Sequence, residues 1–169
     1  MEQAALGDQH RTSQTGDFEA FFDSTYPRLA KGMYLLTGSH QDAEDIAQEA
    51  MARVFERWDR VRAMASPDGY ATTVALNLWR RRSRVRRDPP PAADRRPLDP
   101  AAEAETHDEL RRVLRTLSRE QREAAVVVWW LGYTAQEAAS LLGIDATSVR
   151  GRLHRARNAL SAAMGGNDG

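Results

Sequence analysis

The chain has 169 residues, room for one medium domain or two small ones, with 41% hydrophobic residues and no cysteine. The missing cysteines exclude a disulfide framework and thiolate metal sites, and no apolar run is long enough to span a membrane. Equal counts of 24 basic and 24 acidic residues give zero net charge, which on average argues against a nucleic-acid partner, but the charge is blocked along the chain. Residues 1–79 carry 7 basic and 12 acidic residues, whereas residues 80–87 carry six arginines and no acid. Residues 88–108 are again acidic, at −4, and residues 109–169 are basic, at +3.

Met1 to Gly16 is polar, lacks the apolar core of a secretory leader and reads as a disordered tail. Phe18, Phe21, Phe22, Tyr26 and Leu29 then recur at helical spacing. A second helix is expected from about Ser39 to Trp58. Its wheel gathers Ala43, Ile46, Ala47, Ala50, Met51, Val54, Phe55 and Trp58 on one face. Asp42, Asp45, Glu49, Arg53 and Glu56 fall on the other. These carboxylates diverge along a helix instead of converging in a pocket, and His40 is the segment's one histidine. A solvated face or a docking surface therefore fits them better than a hydrolytic metal centre.

A third helix starts near Pro67 or Asp68, carries Tyr70, Val74 and Leu78, and runs into the cluster Arg80-Arg-Arg-Ser-Arg-Val-Arg-Arg87. Such density suits phosphate contacts. A solvated helix end, favoured by the helix dipole, is the alternative. Tyr70 is expected in the core; Trp79 is a candidate for stacking on unpaired bases. The prolines from Asp88 to Pro100 break any helix, so residues 88–107 read as an acidic linker between domains at 17–87 and 108–164. Residues 165–169 read as a second disordered tail.

Four helices are expected after the linker. Glu109 to Leu117 buries Leu110, Val113, Leu114 and Leu117. Ser118-Arg-Glu-Gln121 has capping-box spacing before the apolar run Val126 to Leu131. Thr134-Ala-Gln-Glu137 repeats that signature, and Gly143 closes the helix it opens. Asp145 caps a last helix reaching about Ala163. The pair Thr134–Leu142 and Ala146–Leu160, joined by Gly143-Ile144-Asp145, has the form of a helix-turn-helix. Its second helix puts Val149, Leu153, Ala156 and Leu160 on a buried stripe. Thr147, Arg150, Gly151, His154, Arg155 and Asn158 lie opposite, where arginines can reach guanine or phosphate. A solvated basic helix in a plain bundle is the competing reading. The expected fold class is all-α: two small helical domains on a flexible linker, the second a helix-turn-helix domain.

These residues together resemble the bacterial RNA polymerase sigma factors, in particular the small extracytoplasmic-function group of the sigma-70 family. Asp42-Ala-Glu-Asp-Ile-Ala-Gln-Glu49 is similar to that family's region two, which docks on the clamp helices of polymerase. Gly69-Tyr-Ala-Thr-Thr-Val-Ala-Leu-Asn77 with the arginines resembles the segment that melts and reads the minus-ten element. Leu114-Arg-Thr-Leu-Ser-Arg-Glu-Gln-Arg122 and Val149-Arg-Gly-Arg-Leu-His-Arg-Ala-Arg157 resemble region four, which reads the minus-thirty-five element. The resemblance implies polymerase contacts at Asp42, Asp45, Gln48, Glu49 and Arg53. It implies DNA contacts at Asn77, Arg80, Arg81 and Arg84 and at Thr147, Ser148, Arg150, Gly151, His154 and Arg155. The implied partners are core RNA polymerase, through its clamp helices and flap, and promoter DNA. No autoinhibitory domain is legible at either end, which leaves restraint to a separate anti-sigma factor. The reading implies no enzymatic activity, no metal, no cofactor and a cytoplasmic protein. Two other classes compete: a duplex-binding regulator using only the helix-turn-helix without polymerase, and a metal-dependent hydrolase built on the acidic helix.

Overall fold

The computed structural model describes residues 2–85 and 109–165, with side chains from residue 15 and up to residue 163. Among the described residues all regular structure is helical. The expected linker falls almost wholly outside them, as do Arg86 and Arg87.

Helix α1 spans Glu2–Thr37, so the backbone is already helical through the segment expected to be a disordered tail. Nothing between Glu2 and Gly16 is a proline, and the first in the helix is Pro27. Gly38, at φ 73°, ends α1 and donates its N–H to the Tyr34 carbonyl at 2.8 Å. Ser39 then caps α2 (His40–Glu56) by accepting the Asp42 N–H on its hydroxyl. The inward face of α2 is Ala43, Ile46, Ala47, Ala50, Met51 and Val54, as its periodicity predicts. Phe55 departs from that expectation and is 52% exposed. Its ring rests on Phe18 at 4.8 Å between centroids, at the outer edge of an aromatic cluster with Phe21 and Trp58.

A single turn, α3 (Trp58–Val61), leads to α4 (Pro67–Val85). Ser66 starts α4: its hydroxyl accepts the Gly69 N–H at 3.1 Å and donates to Asp68 Oδ1 at 2.9 Å. A Cβ at Gly69 would sit 2.6 Å from that hydroxyl, so the cap requires glycine. Tyr70 is half-buried, its hydroxyl 3.4 Å from Arg57, and so lies at the margin of the core expected to contain it.

The second unit begins with α5, residues 109–114, followed by a turn that buries Leu114 and Leu117. This helix is shorter than the 109–117 expected because Ser118 opens the next capping box. Ser118 and Gln121 exchange reciprocal bonds at the start of α6 (Arg119–Ala125). The apolar run continues as a π-helix, Val126–Trp130, whose wide turn closes with the Leu131 N–H on the Val126 carbonyl. Val126 and Val127 enter the core, while the wide turn leaves Trp129 41% exposed and turns Trp130 toward α1. Helices α7 (Ala135–Leu142) and α8 (Ala146–Gly165) complete the unit. Within each unit α1, α2 and α4 pack together, and α8 packs on α6 and α7. The units also meet each other: α1 lies on the π-helix and α4 on α7, joining the buried residues into one apolar cluster.

Candidate nucleic-acid interface

The helix-turn-helix forms as its local chemistry dictates. Thr134 and Glu137 close the second capping box, and Gly143 turns the chain at φ 69°. Asp145 accepts the Ser148 N–H at 2.8 Å and the Ser148 hydroxyl at 2.7 Å. Those two bonds hold the Asp145 carboxyl below its ordinary pKa. Val149 and Ala156 are fully buried, with Leu153 and Leu160 half-buried behind them. That anchors α8 and leaves Thr147, Arg150, His154 and Arg155 exposed. Arg150 makes one long contact, 3.3 Å to the Thr147 hydroxyl, and His154 pairs with Asn158 at 3.2 Å. The Ser148 hydroxyl is engaged in the cap. A Cβ at Gly151 would meet nothing closer than 3.5 Å, so the fold does not require glycine there.

The arginine cluster divides by partner. Asn77, Arg81 and Arg84 are exposed. Arg80 is turned into the protein: its Nε donates to Glu123 Oε1 at 2.5 Å and its Nη2 to the Leu142 carbonyl at 3.3 Å. Arg82 donates to Glu49 Oε2 at 2.8 Å, and Arg81 lies 3.8 Å from Glu49 Oε1. Trp79 is buried with the Arg119 guanidinium 4.7 Å above its ring, so the face expected to stack on bases is covered.

The acidic arc of α2 keeps Asp45, Gln48 and Arg53 exposed, with Asp42 half-buried at the helix start. Glu49 serves two sides: it accepts from Arg53 at 2.6 Å on its own helix and from Arg82 on α4. Burial works to raise the Glu49 pKa, but the bonds and charges of Arg82 and Arg53 outweigh it and lower the value. The residues assigned to polymerase and those assigned to DNA are thus joined by one ion-pair network.

Sequence reasoning missed a polar cluster between the units. Tyr133 donates its hydroxyl to Asp68 Oδ2 at 2.8 Å and lies 3.1 Å from the Thr72 hydroxyl. Burial first, then the bond to Asp68 and its charge, push Tyr133 up to about 12, against the opposing effects of Thr72 and Arg28. Glu123 is buried between Arg80 and Arg152. An acid beside Ala124-Ala125-Val126 on an apolar helix face was the available signal for that pair. Among the described residues no group of three histidines or carboxylates converges to hold a metal. No described helix is long and apolar enough to cross a membrane.

An exposed recognition helix and an arginine-lined helix on a second unit define a two-part helix-turn-helix DNA-binding protein. Residues 21–88 match the family described as sigma-70 region 2, and residues 107–160 match sigma-70 region 4. The chain is 29% identical over 144 residues to the RNA polymerase sigma-E factor of Streptomyces coelicolor, covering 83% of this chain and 81% of that one. It is 33% identical over 144 residues to the extracytoplasmic-function sigma factor SigE of Mycolicibacterium smegmatis, covering 79% of this chain and 56% of the relative. Its fold is similar to that of the sigma factor RpoE of Bartonella quintana, solved with the anti-sigma factor NepR. That likeness has a TM-score of 0.75 at 22% identity and covers 88% of this chain and 96% of the other. The chain belongs to the sigma-70 family, in its extracytoplasmic-function group. It is a sigma factor, directing promoter-specific transcription initiation by RNA polymerase.

Proposed function

We propose that α8 reads the upstream, minus-thirty-five promoter element while α4 melts and reads the minus-ten element. The observation that carries this reading is the presentation of Arg150, His154 and Arg155 opposite the buried Val149 and Ala156. A helix held on one side and charged on the other is what the major groove admits. Thr147 and the backbone at Gly151 and Ser148 complete that surface. On the other unit Asn77, Arg81 and Arg84 supply the contacts to the parted strands, with Arg80 joining them once it is released from Glu123.

The arc Asp42, Asp45, Gln48, Glu49 and Arg53 docks on the clamp helices of core polymerase, and the second unit on its flap. The functional units are residues 17–87 and 108–164, joined by 88–107. The protein acts in the cytoplasm without catalysis or cofactor of its own, and an anti-sigma factor restrains it. RpoE, the similar fold above, was solved with such a factor. Run-off transcription with core polymerase on genomic promoter fragments tests the assignment. Start sites that appear only with this chain, and vanish with Arg150→Ala plus Arg155→Ala, are expected. Sequence-specific duplex binding without any polymerase-dependent start would favour the plain regulator, against which the region 2 match over residues 21–88 already weighs.

A further inference from the structure

Resting on that reading, we propose that Asn158 is a positioning residue for base recognition: it holds His154 in one tautomer, so that His154 offers the upstream element a single N–H donor. The observation is a hydrogen bond on the exposed face of α8. Asn158 Nδ2 lies 3.2 Å from His154 Nε2, and both side chains are exposed. An amide nitrogen carries only N–H donors, whereas an imidazole nitrogen can donate or accept. Asn158 therefore donates, and His154 Nε2 accepts on its lone pair. The ring proton is then on Nδ1, the opposite of the tautomer that a free histidine side chain favours in water. A bond made at one ring nitrogen thus decides what the other can do.

Place along the helix separates the two residues' tasks. Recognition helices touch base edges with their first turns. Helix α8 starts at Ala146, so His154 lies about 12 Å along its axis and Asn158 about 18 Å. His154 shares its face with Arg150, one turn before it, and with Arg155. The Arg155 guanidinium lies along Gly151: a Cβ there would be 3.5 Å from its Nη1. The arginines supply charge, which any phosphate accepts. A neutral ring with one N–H adds a test of sign. Protonated on Nδ1, it suits guanine N7 or O6 and thymine O4, which accept, and rejects cytosine N4, which donates. Protonated on Nε2, its Nδ1 becomes an acceptor and the preference reverses. Asn158 chooses between these without touching DNA. In the groove, where water is displaced, its bond to His154 is stronger than in the free chain.

Two measurements on the full chain test this. The first is nitrogen-15 spectroscopy of the histidine-labelled protein at about pH 8, above the ordinary histidine range. The chain has four histidines, and His154 is assigned by the signal lost in His154→Ala. Its Nε2 should show the shift of an unprotonated nitrogen, and Asn158→Ala should move the proton to Nε2. The second is binding of the polymerase complex to single-base changes across the upstream element. Asn158→Ala should lower the preference for an acceptor base over cytosine at one position by about twofold to tenfold, the range of one hydrogen bond. The same change made in a His154→Ala chain should alter nothing. Both positions are exposed, so the variants should keep the wild-type circular dichroism. A proton on Nε2 in the wild type overturns the proposal, as does an unchanged preference in Asn158→Ala. An effect of Asn158→Ala that persists without His154 also overturns it, because Asn158 would then touch DNA itself. If Arg150→Ala flattens the preference and Asn158→Ala does not, reading by α8 stands and the role of Asn158 falls. If no variant of α8 changes the preference, the reading itself is refuted, and the proposal with it.

Discussion

Replacing Arg150 with alanine should change which upstream sequences the protein accepts without changing how well it folds. Arg150 is exposed, and its one described contact within the protein is the 3.3 Å bond to Thr147. Loss of such a surface side chain shifts stability by no more than about 0.5 kcal/mol. Its position on α8 is fixed from behind by Val149 and Ala156, both fully buried, so the guanidinium is presented at low reorganisation cost. A bidentate arginine–guanine contact discriminates by about 1–3 kcal/mol, or roughly fivefold to 150-fold at one base pair. A phosphate contact lowers affinity nearly equally on every sequence. The assay is binding of the polymerase complex, at one fixed salt concentration, to a panel of single-base changes across the upstream element. Arg150→Ala and Arg155→Ala should each flatten the preference at one or two positions. Arg157→Ala, whose guanidinium lies 5.9 Å from the Trp129 ring, should change affinity or stability with little change in preference. Uniform loss across the panel for all three would refute base reading by α8.

Val149→Ala removes two methyl groups from a fully buried site, and about 0.8 kcal/mol per group plus a cavity term gives about 2–3 kcal/mol; a urea titration should show a lowered midpoint. Glu49→Gln should weaken the ties to Arg53 and Arg82 at a partly exposed site, costing under about 1 kcal/mol of stability. It should steepen the salt dependence of single-stranded DNA binding by about 0.7 per arginine released; an unchanged slope would show that these arginines do not reach phosphate. Tyr133 is raised to about 12, so its contribution to the seam between the two units is complete below its unfolded value of about 10 and is lost as pH rises toward 12. Asp68 is lowered despite burial by its bonds from Tyr133, Ser66 and the Gly69 N–H. Its contribution is therefore present above the ordinary carboxylate pKa and is lost as pH falls through the lowered value. Energy transfer between dyes at the exposed positions Asp23→Cys and Ser161→Cys, one on each unit, should stay flat from about pH 5 to 9 and fall between about 10 and 12 more steeply than in Tyr133→Phe.

What could be read from the sequence is what is settled within a few residues. Ser39, Ser118, Thr134 and Asp145 each accept an N–H three residues on, and Gly143 adopts the left-handed turn its position demands. These bonds need no partner from elsewhere in the chain, so spacing alone reveals them. The buried face of α2 was legible for the same reason, since a period of 3.6 residues fixes which side is apolar. Phe55 shows the limit: the wheel places it inward, but exposure depends on whether a neighbouring helix extends far enough to cover it. The π-helix was hidden because Val126-Val-Val-Trp-Trp130 is apolar at every position and carries no phase. The site residues divide likewise. The exposed face of α8 follows from its own period, whereas the turning-in of Arg80 depends on Glu123, 43 positions away.

The seam's composition explains why it was illegible in the sequence. Most of its contacts are made by Arg28, Asp68, Thr72, Arg80, Arg111 and Tyr133, residues that look like ordinary surface in the sequence and can be solvated when parted. Here the side chains that close the seam are in part those assigned to the promoter, Arg80 above all. The Arg80 guanidinium is held by Glu123, whereas Arg81 and Arg84 on the same helix stay exposed.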